Sequence, residues 1–101
     1  IIVLATIELA EGRRDEFLAE FQKVVPLVRA EEGCVEYGPT VDAVTGIEKQ
    51  APRRDNTVVV VEKWDSLDAL NTHLVAAHMG DYRERVKDLV TGKNLQVLES
   101  A

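Results

Sequence analysis

The sequence has one cysteine, Cys34, so no disulfide can form within the chain and the fold does not depend on an oxidising compartment. No apolar run approaches the roughly 18 residues of a transmembrane helix. The opening residues lack the basic flank and cleavage site of a signal peptide. We therefore expect a cytoplasmic protein with no membrane partner.

Positive charge is also scarce. The 12 Lys and Arg residues are outnumbered by 18 Asp and Glu, and the net charge is −6. Nucleic acids and anionic membrane surfaces bind basic faces, so this balance argues against both partners.

Recognisable motifs for metals, phosphates and nucleophiles are absent. The two histidines, His73 and His78, are five residues apart, or about 140° around a helix, whereas paired zinc ligands on a helix are four apart. This spacing predicts no metal site. Cys34 has no base partner visible in the sequence, and we expect it to be a small core residue.

Two apolar runs dominate what is present, Ile1 to Leu9 and Asn56 to Trp64. Each is apolar on both faces and predicts a strand that is buried on both sides. Cys34 to about Thr45 is predicted as a further strand, at a sheet edge or with a bulge because it contains Pro39. Asn94 to Glu99 is predicted as the last strand.

Helical periodicity predicts a first helix from Arg13 to about Glu31, loosened at Pro26 and followed by Gly33. Ser66 is a suitable N-cap for a second helix, and Gly80 is predicted to divide it from a further piece, Asp81 to Val90. The order of elements indicates one α+β domain over residues 1–101, a ferredoxin-like split βαβ unit with an antiparallel sheet. Its helices cover one sheet face, so we predict a homodimer that covers the other.

Candidate site residues cluster around the third strand and the helix after it. Trp64 and Glu62 lie on the same strand face, and Trp64 is either a core residue or a pocket wall whose indole N–H is free for a ligand. Each histidine is either an exposed or capping residue or a general base, because imidazole has the ordinary pKa nearest neutrality. Tyr82 lies one turn after His78. The remaining expectations are that Tyr37 lines the pocket or packs in the core, and that Glu31 and Glu32 form a solvated helix end.

Three segments resemble the antibiotic biosynthesis monooxygenase superfamily, and within it the small bacterial quinol monooxygenases. They are EEGCVEY (Glu31–Tyr37), VVVVEKW (Val58–Trp64) and HLVAAHM (His73–Met79). The resemblance implies a dimeric α+β barrel and a pocket between sheet and helices. It also implies oxidation of a small aromatic quinol by O₂ without cofactors. The haem-degrading branch differs from this chain at Ala5, His73 and Arg83, so haem is not expected.

The resemblance therefore implies a cofactor-independent monooxygenase or oxidase. His73 or His78 would be the base, and Trp64, Glu62, Tyr82 and Tyr37 would bind substrate. Two alternatives stay open at this point. One is an isomerase for a phosphorylated autoinducer-2-type signal, and the other is a non-catalytic dimeric module that binds a small molecule.

Overall fold

The structure, a computed structural model, describes all 101 residues, in four strands and three helices. In chain order they are β1 (Ile2–Leu9), α1 (Arg14–Arg29), β2 (Cys34–Thr40), β3 (Thr57–Trp64), α2 (Leu67–Leu74), α3 (Ala77–Val86) and β4 (Val90–Leu98).

The sheet has the strand order β2-β3-β1-β4, and every pair in it is antiparallel. The two valine- and isoleucine-rich strands are thus central, and the predicted ferredoxin-like α+β fold is confirmed. Pro39 lies in an edge strand, as its missing N–H requires. The irregularity in β2 falls between Cys34 and Glu36 rather than at the proline.

The core lies between the helices and one face of the sheet. Val3 and Ile7 of β1 alternate inward with Val58 and Val60 of β3, and all four are buried. The apolar stripe of α1 packs on them, and its buried members are Phe17, Phe21, Val24, Val25 and Val28. The opposite sheet face carries Leu4, Val59 and Val61, which are only half-buried because no element of this chain covers them.

Two strand boundaries differ from the prediction. β2 ends at Thr40 rather than near Thr45, and residues 41–56 form neither helix nor strand. Arg54 and Asp42 form an ion pair (2.8 Å) that joins the two ends of this segment. β4 begins at Val90 rather than Asn94, because Val90 already pairs with Leu9, with a shift of register between Glu8 and Leu9.

The predicted helix break at Gly80 is wrong. The helices separate at Val75 and Ala76, and Gly80 lies inside α3. A continuous helix that buried His73 would also turn Ala77 and Gly80 inward, whereas the break shifts the phase and buries Met79 and Tyr82. The predicted N-cap is confirmed, since Ser66 Oγ accepts the Ala69 N–H at 3.1 Å.

None of the helices is both long and apolar enough to cross a bilayer. The cytoplasmic location expected from the sequence stays a prediction.

The segment after α1 packs closely against α2 at Gly33. A substitution at this position tests the fold. Its φ is +83°, and an added Cβ would lie 2.6 Å from Ala69 Cβ. We expect Gly33→Ala to lower the free energy of unfolding by about 2–4 kcal/mol in urea titration, because a conformational penalty and a clash add.

Gly12→Ala is the matched control. Its φ is +75°, but nothing lies within 4 Å of the added Cβ. It should lose only about 1–2 kcal/mol from backbone conformation. Equal losses in the two variants would show that the contact between Gly33 and Ala69 is unimportant.

Candidate active site

Glu31, two residues beyond the end of α1, joins the two histidines. Its Oε2 accepts the N–H of His73 Nδ1 at 2.9 Å and that of His78 Nε2 at 2.8 Å. Only 13% of the Glu31 side chain is exposed. The interpretation of Glu31 as part of a solvated helix end is therefore wrong. Nothing in the sequence distinguishes it from Glu32, since the contact spans more than 40 residues.

His73 is the inner histidine of this trio. It lies on the inward face of α2 with Leu70 and is 2% exposed. Its ring stacks at a tilt on Trp64, with centroids 4.7 Å apart, and meets the Tyr37 ring edge-on at 5.4 Å. Glu31 binds Nδ1, while Nε2 makes no hydrogen bond to the protein. His73 also lines the interior cavity, so a neutral ring would offer Nε2 as a base there.

His78 is the outer histidine. It lies in the first turn of α3, its side chain is 27% exposed, and it is not part of the cavity lining. Tyr82 follows one turn later and is buried, where it packs edge-on against Phe17 and Phe21. The structure thus separates two residues that the sequence treated alike: His73 faces the cavity and His78 holds Glu31 from outside.

The cavity lies between the sheet and the helices α2 and α3, and its volume is about 20 Å³. That volume admits about one water molecule or a single hydroxyl group. Its polar lining residues are His73, Glu62, Tyr37, Tyr82, Arg83 and Lys93, and its other seven lining residues are all apolar. Four of the six predicted site residues therefore meet here, together with Arg83 and Lys93, which the sequence did not single out as ligands for an aromatic substrate.

Trp64 does not line this cavity. Its indole Nε1–H donates to Glu62 Oε1 at 2.9 Å, and the side chain is 2% exposed. The N–H is therefore not free for a ligand, and the pocket-wall interpretation of Trp64 is not supported. Instead, Trp64 supports His73 by stacking and orients Glu62 by hydrogen bonding.

Burial shifts the pKa of three residues that line the cavity and of the nearby Cys34. Loss of solvent raises the pKa of Glu62, partly offset by the hydrogen bond from Trp64. Loss of solvent also raises the pKa of Tyr37 and Tyr82 above that of free tyrosine, so both phenols are neutral O–H donors at neutral pH. The pKa of Cys34 is raised by burial and then by the charges of Glu31 and Glu62, which disfavours a reactive thiolate.

Glu31, His73 and His78 are also the residues that could hold a metal. One ligand atom from each lies within 4.8 Å of the others. The break between α2 and α3 creates this grouping, so the angular argument from a continuous helix does not apply. In the arrangement seen, one carboxylate oxygen serves both imidazoles at hydrogen-bond distances, which is the geometry of a proton-linked triad.

Known proteins resemble this chain in both sequence and fold. It is 38% identical over 101 residues to the Escherichia coli (strain K12) protein named "Probable quinol monooxygenase YgiN", covering 98% of this chain and 96% of that one. The crystal structure of PA3566 from Pseudomonas aeruginosa superposes with a TM-score of 0.80 at 22% identity, covering 99% of this chain and 92% of the other. Protein SO0527 from Shewanella oneidensis superposes with a TM-score of 0.75 at 23% identity, covering 94% and 84%.

The chain also matches a protein family, in addition to the individual relatives. Residues 1–85 match the family described as antibiotic biosynthesis monooxygenase, and these residues include β1, β2, β3 and the whole Glu31–His73–His78 trio. The chain belongs to the antibiotic biosynthesis monooxygenase family.

Proposed function

We propose that this protein is a cofactor-independent monooxygenase or oxidase that acts on a quinol or a similar aromatic hydroxyl compound with O₂. The observation that carries the proposal is the pair of Glu31 and His73, in which a carboxylate holds one imidazole nitrogen and leaves the other at a mostly apolar cavity. Membership of a monooxygenase family and the likeness to YgiN support it.

The first task of such a site is to remove a phenolic proton, because a quinolate gives up an electron to O₂ far more readily than a neutral quinol. His73 Nε2 takes this proton as the general base. The imidazolium that forms donates Nδ1–H to the Glu31 carboxylate, and the Trp64 ring face stabilises it further. Glu31 is thus a positioning residue, and His78 in turn holds Glu31.

The second task is electron transfer in a site without bulk water. The quinolate is the reductant and O₂ is the oxidant, and superoxide and a semiquinone radical form first. Transfer of a second electron and two protons to superoxide gives a quinone and hydrogen peroxide. Alternatively, the two radicals combine at a ring carbon, and loss of water gives a hydroxyquinone. Apolar side chains around the bound ring limit its contact with water and so protect these intermediates from side reactions.

The remaining cavity groups serve to orient the substrate in this proposal. Tyr37 and Tyr82 present neutral O–H donors, and Glu62 is held by Trp64. Because the cavity admits only a hydroxyl group as it stands, the ring must lie at its mouth or the helices must move apart on binding.

We also propose that two copies pack through the open sheet faces. Leu4, Val59 and Val61 form an apolar surface on β1 and β3 that this chain leaves uncovered. A stable interface needs roughly 800 Å² from each partner, which a four-stranded sheet face can supply.

Single substitutions test the proton-transfer assignment. His73→Ala should lower kcat/KM for oxygen uptake with a quinol by about 10²–10⁴-fold, the usual contribution of a general base. Glu31→Gln should lower it by about tenfold or more, since a charge-assisted hydrogen bond is lost. His78→Ala should have the smallest effect, and added imidazole should partly restore the His73→Ala variant.

The control is Asn71→Ala, at an exposed position of α2. It should leave activity unchanged, and thermal unfolding should show that all four variants are folded. Removal of the base should also change how the residual kcat/KM depends on pH. If His78→Ala lost as much activity as His73→Ala, and the residual activity of both variants kept the pH dependence of the wild type, the assignment of the base to His73 would be wrong.

Metal removal tests the cofactor-independent part of the proposal. Protein dialysed against a chelator should keep its rate of quinol-dependent oxygen uptake, because every proposed step uses side chains of this chain. Loss of activity that is restored by zinc, iron or manganese would instead assign Glu31, His73 and His78 to a metal centre.

Light scattering coupled to gel filtration tests the dimer. The wild type should have twice the mass of the chain at micromolar concentration, and Val61→Lys on the open sheet face should reduce it to the monomer mass, because a buried unpaired charge costs several kcal/mol. Leu67→Lys is the control, since Leu67 is 53% exposed on the helix side. A monomeric wild type would contradict the proposal.

A further inference from the structure

A groove of about 270 Å³ lies beside the cavity, between α3 and the β1–β4 edge of the sheet. Ile7, Tyr82, Arg83 and Lys93 line both, so the groove is the outer part of the same site. Its volume is close to the roughly 300 Å³ at which small-molecule pockets begin. The groove can therefore hold an aromatic ring that the inner cavity cannot.

The charged residues that line the groove are all cationic. They are Arg83, Lys87 and Lys93, in a chain whose net charge is −6. Lys87 pairs with Glu84 on the surface, where both side chains are exposed and such a pair contributes little. Arg83 donates to the Leu74 carbonyl at 2.9 Å, and neither Arg83 nor Lys93 forms a salt bridge.

Arg83 and Lys93 both line the cavity and the groove. Partial loss of solvent, and then the charge of Arg83, lower the pKa of Lys93, while the charge of Glu62 opposes that shift. Two like charges held together without a counter-ion repel each other. An anion bound between them would remove this repulsion and gain two charge-assisted contacts.

We propose that the substrate of this site is an aromatic hydroxyl compound that carries an anionic substituent, a carboxylate or a phosphate, held by Arg83 and Lys93. The ring lies in the groove on Ile7, Val86 and Val90, and a ring hydroxyl reaches into the cavity that His73 lines. This inference rests on the proposed function, because it names the class of quinol that the same site selects.

The apolar floor favours an aromatic compound over a phosphorylated sugar. Ile7, Val86 and Val90 offer no hydrogen-bonding side chain, so the hydroxyl groups of a sugar placed on them would lose water without gaining partners. The face of an aromatic ring makes no strong hydrogen bonds to water that would be lost on these side chains. Its anionic group still reaches Arg83 and Lys93.

Binding without oxygen tests the inference. The probes are gentisate, a hydroquinone with a carboxylate, and methylhydroquinone, its neutral counterpart of similar size. Isothermal titration of the wild type under anaerobic conditions should give a Kd about tenfold lower for gentisate. This preference should shrink as salt is added, because screening weakens contacts between partly exposed charges.

Substitutions assign the preference to the groove. Lys93→Met should abolish it, and Lys93→Arg should keep it. Lys49→Met changes the net charge equally in an exposed loop far along the chain from the groove, and should keep it as well. Equal Kd values for the two probes in the wild type, or an undiminished preference in Lys93→Met, would overturn the inference.

Two further ligands, ribose phosphate and inorganic phosphate, test whether the site prefers an aromatic anion to a sugar phosphate or to free phosphate. Tight binding of ribose phosphate without binding of gentisate would overturn the aromatic part of the inference, and inorganic phosphate alone should bind more weakly than gentisate. Because these are binding measurements, they are independent of turnover. A chain that oxidises neutral quinols but shows no anion preference would keep the proposed function and lose only this inference.

Discussion

One carboxylate determines how the site is built. Glu31 stands just beyond α1 and accepts hydrogen bonds from α2 through His73 and from α3 through His78. This carboxylate thereby links the end of α1 to α2 and α3, near the break between α2 and α3. A buried carboxylate is costly unless hydrogen bonds satisfy it, and two N–H donors to one oxygen meet that need. Stability and the orientation of the candidate base thus depend on the same contact.

Each side chain around His73 makes a different contact. Trp64 covers the ring face and orients Glu62, and Tyr37 meets the ring edge-on. These contacts fix the ring in place and leave one nitrogen at the cavity. Preorganised groups of this kind avoid reorganisation during proton transfer. The cationic groove lies beyond the cavity, so the anion preference that we infer for it would act at a distance from the proposed proton transfer.

Several features were predictable because they depend on local pattern. The apolar runs of β1 and β3 gave their positions and their central place in the sheet, and Pro39 gave the edge strand. Ser66 gave the start of α2. The end of β2 and the break before α3 were mispredicted. The first lies at the start of a long irregular segment whose ends are joined through Asp42 and Arg54, and the second depends on which residues meet the sheet.

The sequence by itself determined the order of strands and helices along the chain and most of the candidate site residues, because periodicity and turn chemistry act over a few neighbours. Only the tertiary structure decided that Glu31 belongs to the site, that His73 rather than His78 faces the cavity, and that Trp64 points its N–H at Glu62. Those contacts join α1, α2, α3 and β3 in space. No local rule encodes which of several similar side chains will meet when distant elements pack.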